Sequence, residues 1–257
     1  MKVYINFKKM ALLLIISIFV ILFTGCVHSG QHSSVEGLED LFTNEEDILF
    51  DFRKGHDETQ FHKAFWSNGY PFNCRWSYDN ITFDEIDGMN VSLTKVDETY
   101  YGAEYRTHRK FSYGYFSVKM KAIKCDGVIS SFFTYTHNPW DEIDIEFLGN
   151  RTNEVQFNYY TKGKGGNEYH HKLGFDASED FHEYGFYWAP DSITWYVDGK
   201  PIYRATKNIP TTAAQILINV WNVHPDVKEW AGLFKGDNLP VTAEYQWFAY
   251  KPHENFA

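Results

Sequence analysis

The sequence predicts an all-β fold in which two curved antiparallel sheets pack face to face as a β-jelly-roll sandwich. From Ile48 to Ala257 the chain is a series of runs that alternate apolar and polar residues, which is the two-residue period of a half-buried strand. No run of useful length has helical periodicity, and no internal repeat is visible. With 257 residues the chain has the size of one large all-β domain. These features favour a sandwich or jelly roll over a barrel.

The first 25 residues have the organisation of a signal peptide. Three lysines among the first nine residues precede an apolar run, Met10–Phe23, in which Ser17 is the one polar residue and which is short for a membrane-spanning helix. The following "FTGC" is similar to a bacterial lipobox, in which the cysteine, here Cys26, is lipidated and becomes the mature N-terminus. We therefore expect an extracellular protein that is anchored to the cell membrane as a lipoprotein, with ordinary secretion as the alternative.

A polar segment separates this leader from the folded part of the chain. Residues 26–47 contain Ser and Gly and then acidic residues without sustained periodicity, and we interpret them as a flexible tether before a domain at residues 48–257. Cys74 and Cys125 are the cysteines of that domain. An oxidising location permits a disulfide between them, but no pattern in the sequence requires one, and two separate thiols are the expectation.

Several runs show the strand pattern in chain order. "YFSVKMKA", from Tyr115, and "EVQFNYY", from Glu154, each place alternate residues on two faces. "SITWYVDGKPIY", from Ser192, holds Asp-Gly at positions 198–199 between apolar runs, which is a strong hairpin signal. "ILINVW", from Ile216, places an asparagine and a tryptophan on one side. The Gly-rich "KGKGG" that follows the second run lacks a phosphate-binding pattern and is interpreted as a hairpin loop.

The run "WDEIDIEFLG", which begins at Trp140, carries the strongest functional signal. Glu142, Asp144 and Glu146 occupy every second position, so an extended strand places all three on one face. Like charges on neighbouring positions destabilise a sheet and raise one another's pKa values. One interpretation is an edge strand that uses charge against aggregation. The other is a catalytic face, because glycoside hydrolysis uses two carboxylates, one protonated and one ionised.

Composition indicates a neutral substrate. The chain has 34 acidic and 24 basic residues and a net charge of -10, which argues against nucleic acid as a partner. Aromatic residues make up 19% of the chain, with 18 Tyr and 8 Trp, and such rings can line a groove for sugar. No HExxH or CxxC spacing indicates a catalytic metal. Polar and aromatic residues that share strand faces suit a sugar polymer; they are Gln156, Asn158, Tyr160, Asn219 and Trp221.

Six motifs together resemble one enzyme family. "PWDEIDIEFLG", "VQFNYYTKGKGGNEYHHKLGFDAS", "SSFFTYT", "FNCRW", "EYRT" and "WYVDGK" are similar to the bacterial lichenases, the endo-β-1,3-1,4-glucanases of glycoside hydrolase family 16, from about Phe50 to the C-terminus. The resemblance implies a catalytic domain at residues 48–257, with an open groove across a concave sheet and a retaining mechanism. It also implies that β-1,4 bonds adjacent to β-1,3 bonds are cleaved inside mixed-linkage β-glucans. Laminarinases of the same family usually carry one extra residue before the last Glu of the E-x-D-x-E motif, which is absent here.

The resemblance assigns roles to individual residues. Glu142 resembles the nucleophile and Glu146 the general acid/base, while Asp144 resembles the residue that hydrogen-bonds the nucleophile and tunes the pair. The positions that resemble the substrate-binding cleft are Trp66, Asn68, Glu104, Arg106, Phe133, Tyr135, Trp140, Asn158, Tyr160, Asn219, Trp221 and Trp230.

The chain also departs from the family pattern. "THNP" before Trp140 is shorter than in bacillar lichenases and "NVHPDVK" after Trp221 is longer, and both border the implied groove. Catalysis in the family requires no cofactor. A structural calcium is frequent there, but Gln246 stands at the position of its Asp ligand, so calcium is left open.

Other functions are compatible with the same fold. A β-1,3-glucanase or a transglycosylase of the family would share the acidic strand. A non-catalytic carbohydrate-binding module would need the aromatic residues but not the carboxylates. We expect a monomer whose partner is β-glucan, with no nucleic acid, and with a membrane contacted only through the lipid on Cys26.

Overall fold

The computed structural model describes residues 44 to 256, so the predicted signal peptide, Cys26 and most of the predicted tether lie outside the described residues. Sixteen strands make up most of the described part of the chain. They are β1 (Ile48–Asp51), β2 (Phe61–Lys63), β3 (Arg75–Trp76), β4 (Ile81–Asp84), β5 (Gly88–Val96), β6 (Thr99–Thr107), β7 (Gly114–Lys121), β8 (Val128–Thr136), β9 (Asp141–Leu148), β10 (Glu154–Tyr160), β11 (Tyr169–Lys172), β12 (His182–Ala189), β13 (Ser192–Val197), β14 (Lys200–Ala205), β15 (Gln215–Asn222) and β16 (Val241–Pro252).

Helices are short and peripheral. The α-helices of the described residues are α1 (Lys228–Ala231) and α2 (His253–Phe256), each of four residues. Three 3₁₀ turns accompany them, at Phe52–Lys54, Tyr78–Asn80 and Pro225–Val227. None of the helices in residues 44–256 has the length and apolar character needed to span a membrane.

The strands form two layers that are joined along one path of hydrogen bonds. The first layer has the order β11-β10-β9-β8-β15-β6, and the second layer has the order β5-β16-β7-β12-β13-β14. Antiparallel pairing of the ends of β5 and β6 connects the layers, and β1, β2 and β4 add to them at the edges. The two-residue β3 runs parallel to β6. The predicted jelly-roll sandwich of curved antiparallel sheets is confirmed.

Alternation along each strand decides which face enters the core. On β9, Ile143, Ile145 and Phe147 are fully buried, and the Phe147 ring contacts Tyr184 of β12 with centroids 4.7 Å apart. The predicted hairpin is present as well, because β13 and β14 are joined by two residues only, Asp198 and Gly199. Both have positive φ, 48° and 71°, and positive φ at both residues is the backbone conformation that a type I′ hairpin turn requires.

Aromatic residues fill the space between the layers and support the first layer from below. Phe132 of β8 packs against Phe248 of β16, with ring centroids 5.8 Å apart. The Trp195 indole N–H donates to the backbone oxygen of Asp144 at 3.1 Å, and the Tyr245 hydroxyl donates to that of Ser131 at 3.1 Å. Side chains of the second layer therefore hold the backbone of the strands whose opposite face carries the acids.

Cys74 and Cys125 are both free thiols. A Cβ on Gly102 would lie 2.9 Å from the Cys74 sulfur, so only glycine leaves room for this thiol beside β6. Burial raises the pKa of Cys74 to about 12, which keeps it a protonated thiol at neutral pH.

Candidate active site

A groove with a volume of about 1010 Å³ crosses the first layer from β6 to β11. All predicted catalytic and substrate-binding residues line it, although they come from five strands, two loops and the short helix α1. They are Trp66, Asn68, Glu104, Arg106, Phe133, Tyr135, Trp140, Glu142, Asp144, Glu146, Asn158, Tyr160, Asn219, Trp221 and Trp230.

The register of the strands arranges polar side chains in rows across the groove. Directly opposed residues of antiparallel strands lie on the same face of the sheet. One row passes through Glu146, and in spatial order from β6 to β11 its members are Glu104, Asn219, Ser131, Glu146, Gln156 and His170. The neighbouring rows contain the other two acids of β9: Phe133, Asp144 and Asn158 are opposed in one, and Tyr135, Glu142 and Tyr160 in the other.

Glu146 is held in a form that can donate a proton. Loss of solvation, and then the negative charge of Glu142, raise the pKa of Glu146 to about 8. Glu168 adds a smaller repulsion, while a hydrogen bond of 2.7 Å from Gln156 Nε2 to Glu146 Oε2 opposes the shift. The Glu146 carboxyl is therefore mostly protonated at neutral pH, which is the state that a general acid needs.

Glu142 has the partners of an anion. Desolvation raises its pKa, but two hydrogen bonds stabilise its charged form and oppose that effect. The Trp140 indole N–H donates to Glu142 Oε2 at 2.5 Å, and the second hydrogen bond comes from Asp144. Burial and the charges of Glu142 and Glu146 raise the pKa of Asp144 well above its usual range, so Asp144 is the protonated donor to Glu142. Two hydrogen-bond donors thus stabilise the ionised form of Glu142, whereas Glu146 has only one.

A buried ion pair fixes the far side of the groove. Glu104 is 1% exposed and pairs with the guanidinium of Arg106, while Asn219 Nδ2 approaches its other oxygen at 3.5 Å. Burial raises the pKa of Glu104, and the charge of Arg106 opposes the shift. The Arg106 guanidinium also lies over the Trp66 ring, 4.8 Å from its centroid, and the Trp66 N–H donates to Asn68 Oδ1 at 3.1 Å. Polar groups here have defined directions before substrate arrives.

Aromatic rings line both ends of the groove. Trp140 stacks on Tyr160 with centroids 4.8 Å apart and planes 14° apart. The predicted hairpin loop at residues 162–166 packs beside them, and the Gly163 N–H donates to the Trp140 backbone oxygen at 2.7 Å. At the other end Trp221 contacts Phe72 and Trp230, with centroids 4.1 and 6.0 Å away. Rings of this kind offer apolar faces on which pyranose rings can stack.

Some groove residues were not singled out from the sequence. Ser131 donates to Asn219 Oδ1 at 2.5 Å, and its alternation with Phe133 and Tyr135 in "SSFFTYT" could have revealed it. Glu168 and His170 reach the groove from the edge strand β11 and the loop before it. His170 lies opposite Gln156 because β11 pairs with β10, and no signal in the sequence predicts that pairing.

Residues 44–256 contain no group of three or more His, Cys, Asp or Glu that could hold a metal ion. Gln246, at the position of the calcium ligand implied by the resemblance, is 8% exposed and lies at an irregularity of β16 between Tyr245 and Trp247. A neutral amide replaces the expected carboxylate there.

Comparison with known proteins agrees with this geometry. Residues 68–245 match the model of the family "Glycosyl hydrolases family 16". A beta-glucanase of Acetivibrio thermocellus is 50% identical over 207 residues, which cover 77% of this chain and 60% of that protein, so the chain matches less than two thirds of that relative. A beta-glucanase of Brevibacillus brevis is 41% identical over 256 residues, covering 96% of this chain and 98% of the relative.

Solved structures give the same result. A crystal structure described as a prokaryotic beta-1,3-1,4-glucanase (lichenase) from a mouse hindgut metagenome matches with a TM-score of 0.75 and 47% identity, covering 80% of this chain and 99% of the other. The beta-glucanase of Bacillus licheniformis matches with a TM-score of 0.78 and 41% identity, covering 81% and 99%. A laminarinase catalytic domain from Thermotoga maritima, at 19% identity and a TM-score of 0.70, shares the fold. The family that the sequence motifs predicted is confirmed: this chain belongs to glycosyl hydrolase family 16.

Proposed function

We propose that this chain is an endo-acting, retaining hydrolase of mixed-linkage β-glucans, which cleaves β-1,4 bonds adjacent to β-1,3 bonds. The observation that carries the proposal is the acidic face of β9, where Trp140 and Asp144 donate hydrogen bonds to Glu142, and burial and the charge of Glu142 raise the pKa of Glu146. The beta-glucanase and lichenase relatives support the substrate class.

In the first step the Glu142 carboxylate attacks the anomeric carbon while Glu146 gives its proton to the departing glycosidic oxygen. The carbon–oxygen bond to the leaving sugar breaks, and a covalent glycosyl–Glu142 ester forms with inversion. Asp144 acts on this step indirectly, because its hydrogen bond to Glu142 holds the nucleophile and stabilises its charge.

In the second step water attacks the anomeric carbon of the sugar from the face that the leaving sugar vacated. Glu146, now ionised, takes the proton of that water, and Glu142 leaves as a carboxylate, so two inversions give net retention. The nucleophile and the proton donor are both side chains, and the reaction as proposed requires no cofactor.

The shape of β9 bears on the choice of substrate. β9 pairs with β8 and β10 without a change of register, so the E-x-D-x-E motif lies on a regular strand, as the resemblance implies for enzymes of mixed-linkage glucans. Along a flat strand the Cα atoms of Glu142 and Glu146 would be roughly 13 Å apart, whereas retaining chemistry needs carboxyl groups about 5 to 5.5 Å apart. The two side chains must therefore lean toward a single sugar between them.

A substrate panel tests the specificity. Reducing ends should appear rapidly with lichenan and barley β-glucan, and only slowly with laminarin, carboxymethylcellulose or xyloglucan. Faster cleavage of laminarin than of lichenan would identify a β-1,3-glucanase instead. Transfer of glucan to added oligosaccharides in place of hydrolysis would identify a transglycosylase, and binding without any cleavage would identify a carbohydrate-binding module.

Azide rescue tests the two catalytic roles. With an activated β-glycoside, Glu142→Ala should give the α-glycosyl azide, because azide replaces the missing nucleophile in a single inversion. Glu146→Ala should give the β-glycosyl azide, because the ester on Glu142 still forms and azide performs the second inversion. Asp144→Asn should be impaired without rescue. Exchange of the two anomers would reverse the roles, and an inverted product from the wild-type protein would exclude retention.

Location is a separate part of the proposal. We propose that the protein acts outside the cytoplasm as a monomer, attached to the membrane by lipid on Cys26 through the polar segment 26–47. The apolar N-terminal run and the "FTGC" sequence support this proposal.

A further inference from the structure

Trp230, Gln156 and Glu146 form a chain of two hydrogen bonds behind the proposed general acid. The Trp230 indole N–H donates to Gln156 Oε1 at 2.9 Å, and Gln156 Nε2 donates to Glu146 Oε2 at 2.7 Å. An indole nitrogen can donate but cannot accept, so only the oxygen end of the Gln156 amide can face Trp230. Trp230 thus determines that the NH₂ end of the amide faces Glu146.

The orientation of this amide matters for proton transfer. Glu146 Oε2 accepts the N–H of Gln156, so in the neutral carboxyl the proton belongs on the other oxygen, Oε1. A reversed amide would present its oxygen to Glu146, and the carboxyl O–H of Glu146 would then donate a hydrogen bond to that oxygen. The proton would then be directed at Gln156 and withheld from a glycosidic oxygen in the groove.

Trp230 is itself held in place by the turn that joins the strands of Glu146 and Gln156 and by the residue before β8. It lies in α1, and its backbone oxygen accepts a hydrogen bond of 2.8 Å from Arg151 Nη2, in the turn between β9 and β10. The backbone oxygen of Ala231, the next residue, accepts the Gly127 N–H at 2.8 Å. Gln156 is 3% exposed and has little freedom to turn. The two hydrogen bonds that link Trp230, Gln156 and Glu146 are therefore built into the wall of the groove.

We propose that Trp230 is a positioning residue for the general acid: by orienting the Gln156 amide it keeps the transferable proton of Glu146 on Oε1. The inference rests on the proposed role of Glu146. In the first step the proton leaves Oε1 for the glycosidic oxygen as the carbon–oxygen bond breaks. In the second step Oε1 receives a proton from water, while the Gln156 N–H remains on Oε2 in both states.

The effect of these two hydrogen bonds on proton transfer can be separated from the effect of the Trp230 ring on substrate binding. Two β-glycosides with the same sugar portion are compared, one with an activated phenolate that departs without a proton and one with a poor leaving group that needs protonation. Trp230→Phe keeps an aromatic ring and removes the N–H. It should lower kcat/KM, which reports the first step, about 10-fold or more on the poor leaving group relative to the activated one, since general acid catalysis contributes about 10² to 10⁴.

Gln156→Leu should give the same ratio of rates, and adding Trp230→Phe to Gln156→Leu should cost no further activity, because both changes break one chain. Trp221→Phe is the matched control, since it alters the adjacent groove indole outside the chain; its losses should be equal on both substrates. Equal losses on both substrates for Trp230→Phe, or additive losses in the double variant, would overturn the proposal. Full activity of Glu146→Ala on the poor leaving group would instead refute the proposed function.

Discussion

Replacing Glu146 by glutamine should stabilise the folded protein at neutral pH, although it removes the proposed proton donor. Desolvation raises the pKa of Glu146 from 4.5 to about 8. In the unfolded chain the carboxyl is ionised at pH 7, so folding must protonate it. The span of about 2.5 pH units between the unfolded pKa and pH 7 corresponds, at about 1.4 kcal/mol each, to a cost of up to about 3.5 kcal/mol. Glutamine keeps the shape and still accepts the Gln156 N–H, but it does not titrate.

The stability gain has a defined dependence on pH. The pKa of Glu146 is higher in the folded protein than in the unfolded chain. The cost of protonating Glu146 on folding is therefore absent below about pH 4.5, where the carboxyl is protonated in both states, and it grows until about pH 8. Urea unfolding of the wild-type protein and of Glu146→Gln at about pH 4.5 and pH 7 measures it. Glu85→Gln is the matched control, since Glu85 is an exposed acid after β4 and its replacement should have the same small effect at both values.

Two results would refute this reasoning. If Glu146→Gln gave the same gain at pH 4.5 as at pH 7, or destabilised the protein at pH 7, desolvation would not be holding the proton on Glu146. If Glu85→Gln gained as much at pH 7, the effect would come from reducing the net charge of -10 and not from the groove.

Trp195→Phe keeps a ring in the core but removes the N–H that donates to the Asp144 backbone oxygen, and it should lower the free energy of unfolding by about 1 to 3 kcal/mol in urea titrations. A change smaller than the error of the titration would show that this hydrogen bond does not support β9. Chelation with EDTA should leave the Tm unchanged, because Gln246 puts a neutral amide where the implied calcium site has a carboxylate; a higher Tm in added calcium would contradict this. A Cys26→Ala precursor should move from the membrane to the soluble fraction, and a wild-type protein already found wholly in the soluble fraction would rule out the lipid anchor.

Local patterns of the sequence were sufficient for the faces of single strands. The alternation around Glu142 and Glu146 predicted which side of β9 meets the core, and Asp198-Gly199 predicted a hairpin, because side-chain direction and turn geometry depend on adjacent residues. The resemblance to a family then supplied the residues of the groove, including Trp66 from a loop and Trp230 from α1.

Pairing between distant strands could not be read in this way. β15 lies between β6 and β8, and that position places Asn219 beside Glu104 and Ser131. The register of β11 places His170 opposite Gln156. Such neighbours depend on long-range packing of the whole sandwich, for which a single sequence carries no periodic signal. The Trp230–Gln156 hydrogen bond depends in addition on the course of the loop before α1.

The three acids of β9 are compatible with one another because they do not carry three charges. Burial raises the pKa of Asp144 and Glu146 most clearly, and each neutral carboxyl removes a repulsion from Glu142, whose remaining charge is stabilised by Trp140 and Asp144. One anion beside one acid is the protonation state that a retaining hydrolase needs at the start of its cycle. The desolvation that lowers stability at neutral pH is therefore the same effect that supplies the proton donor. A variant that recovers the lost stability at position 146 should lose the proton donor with it.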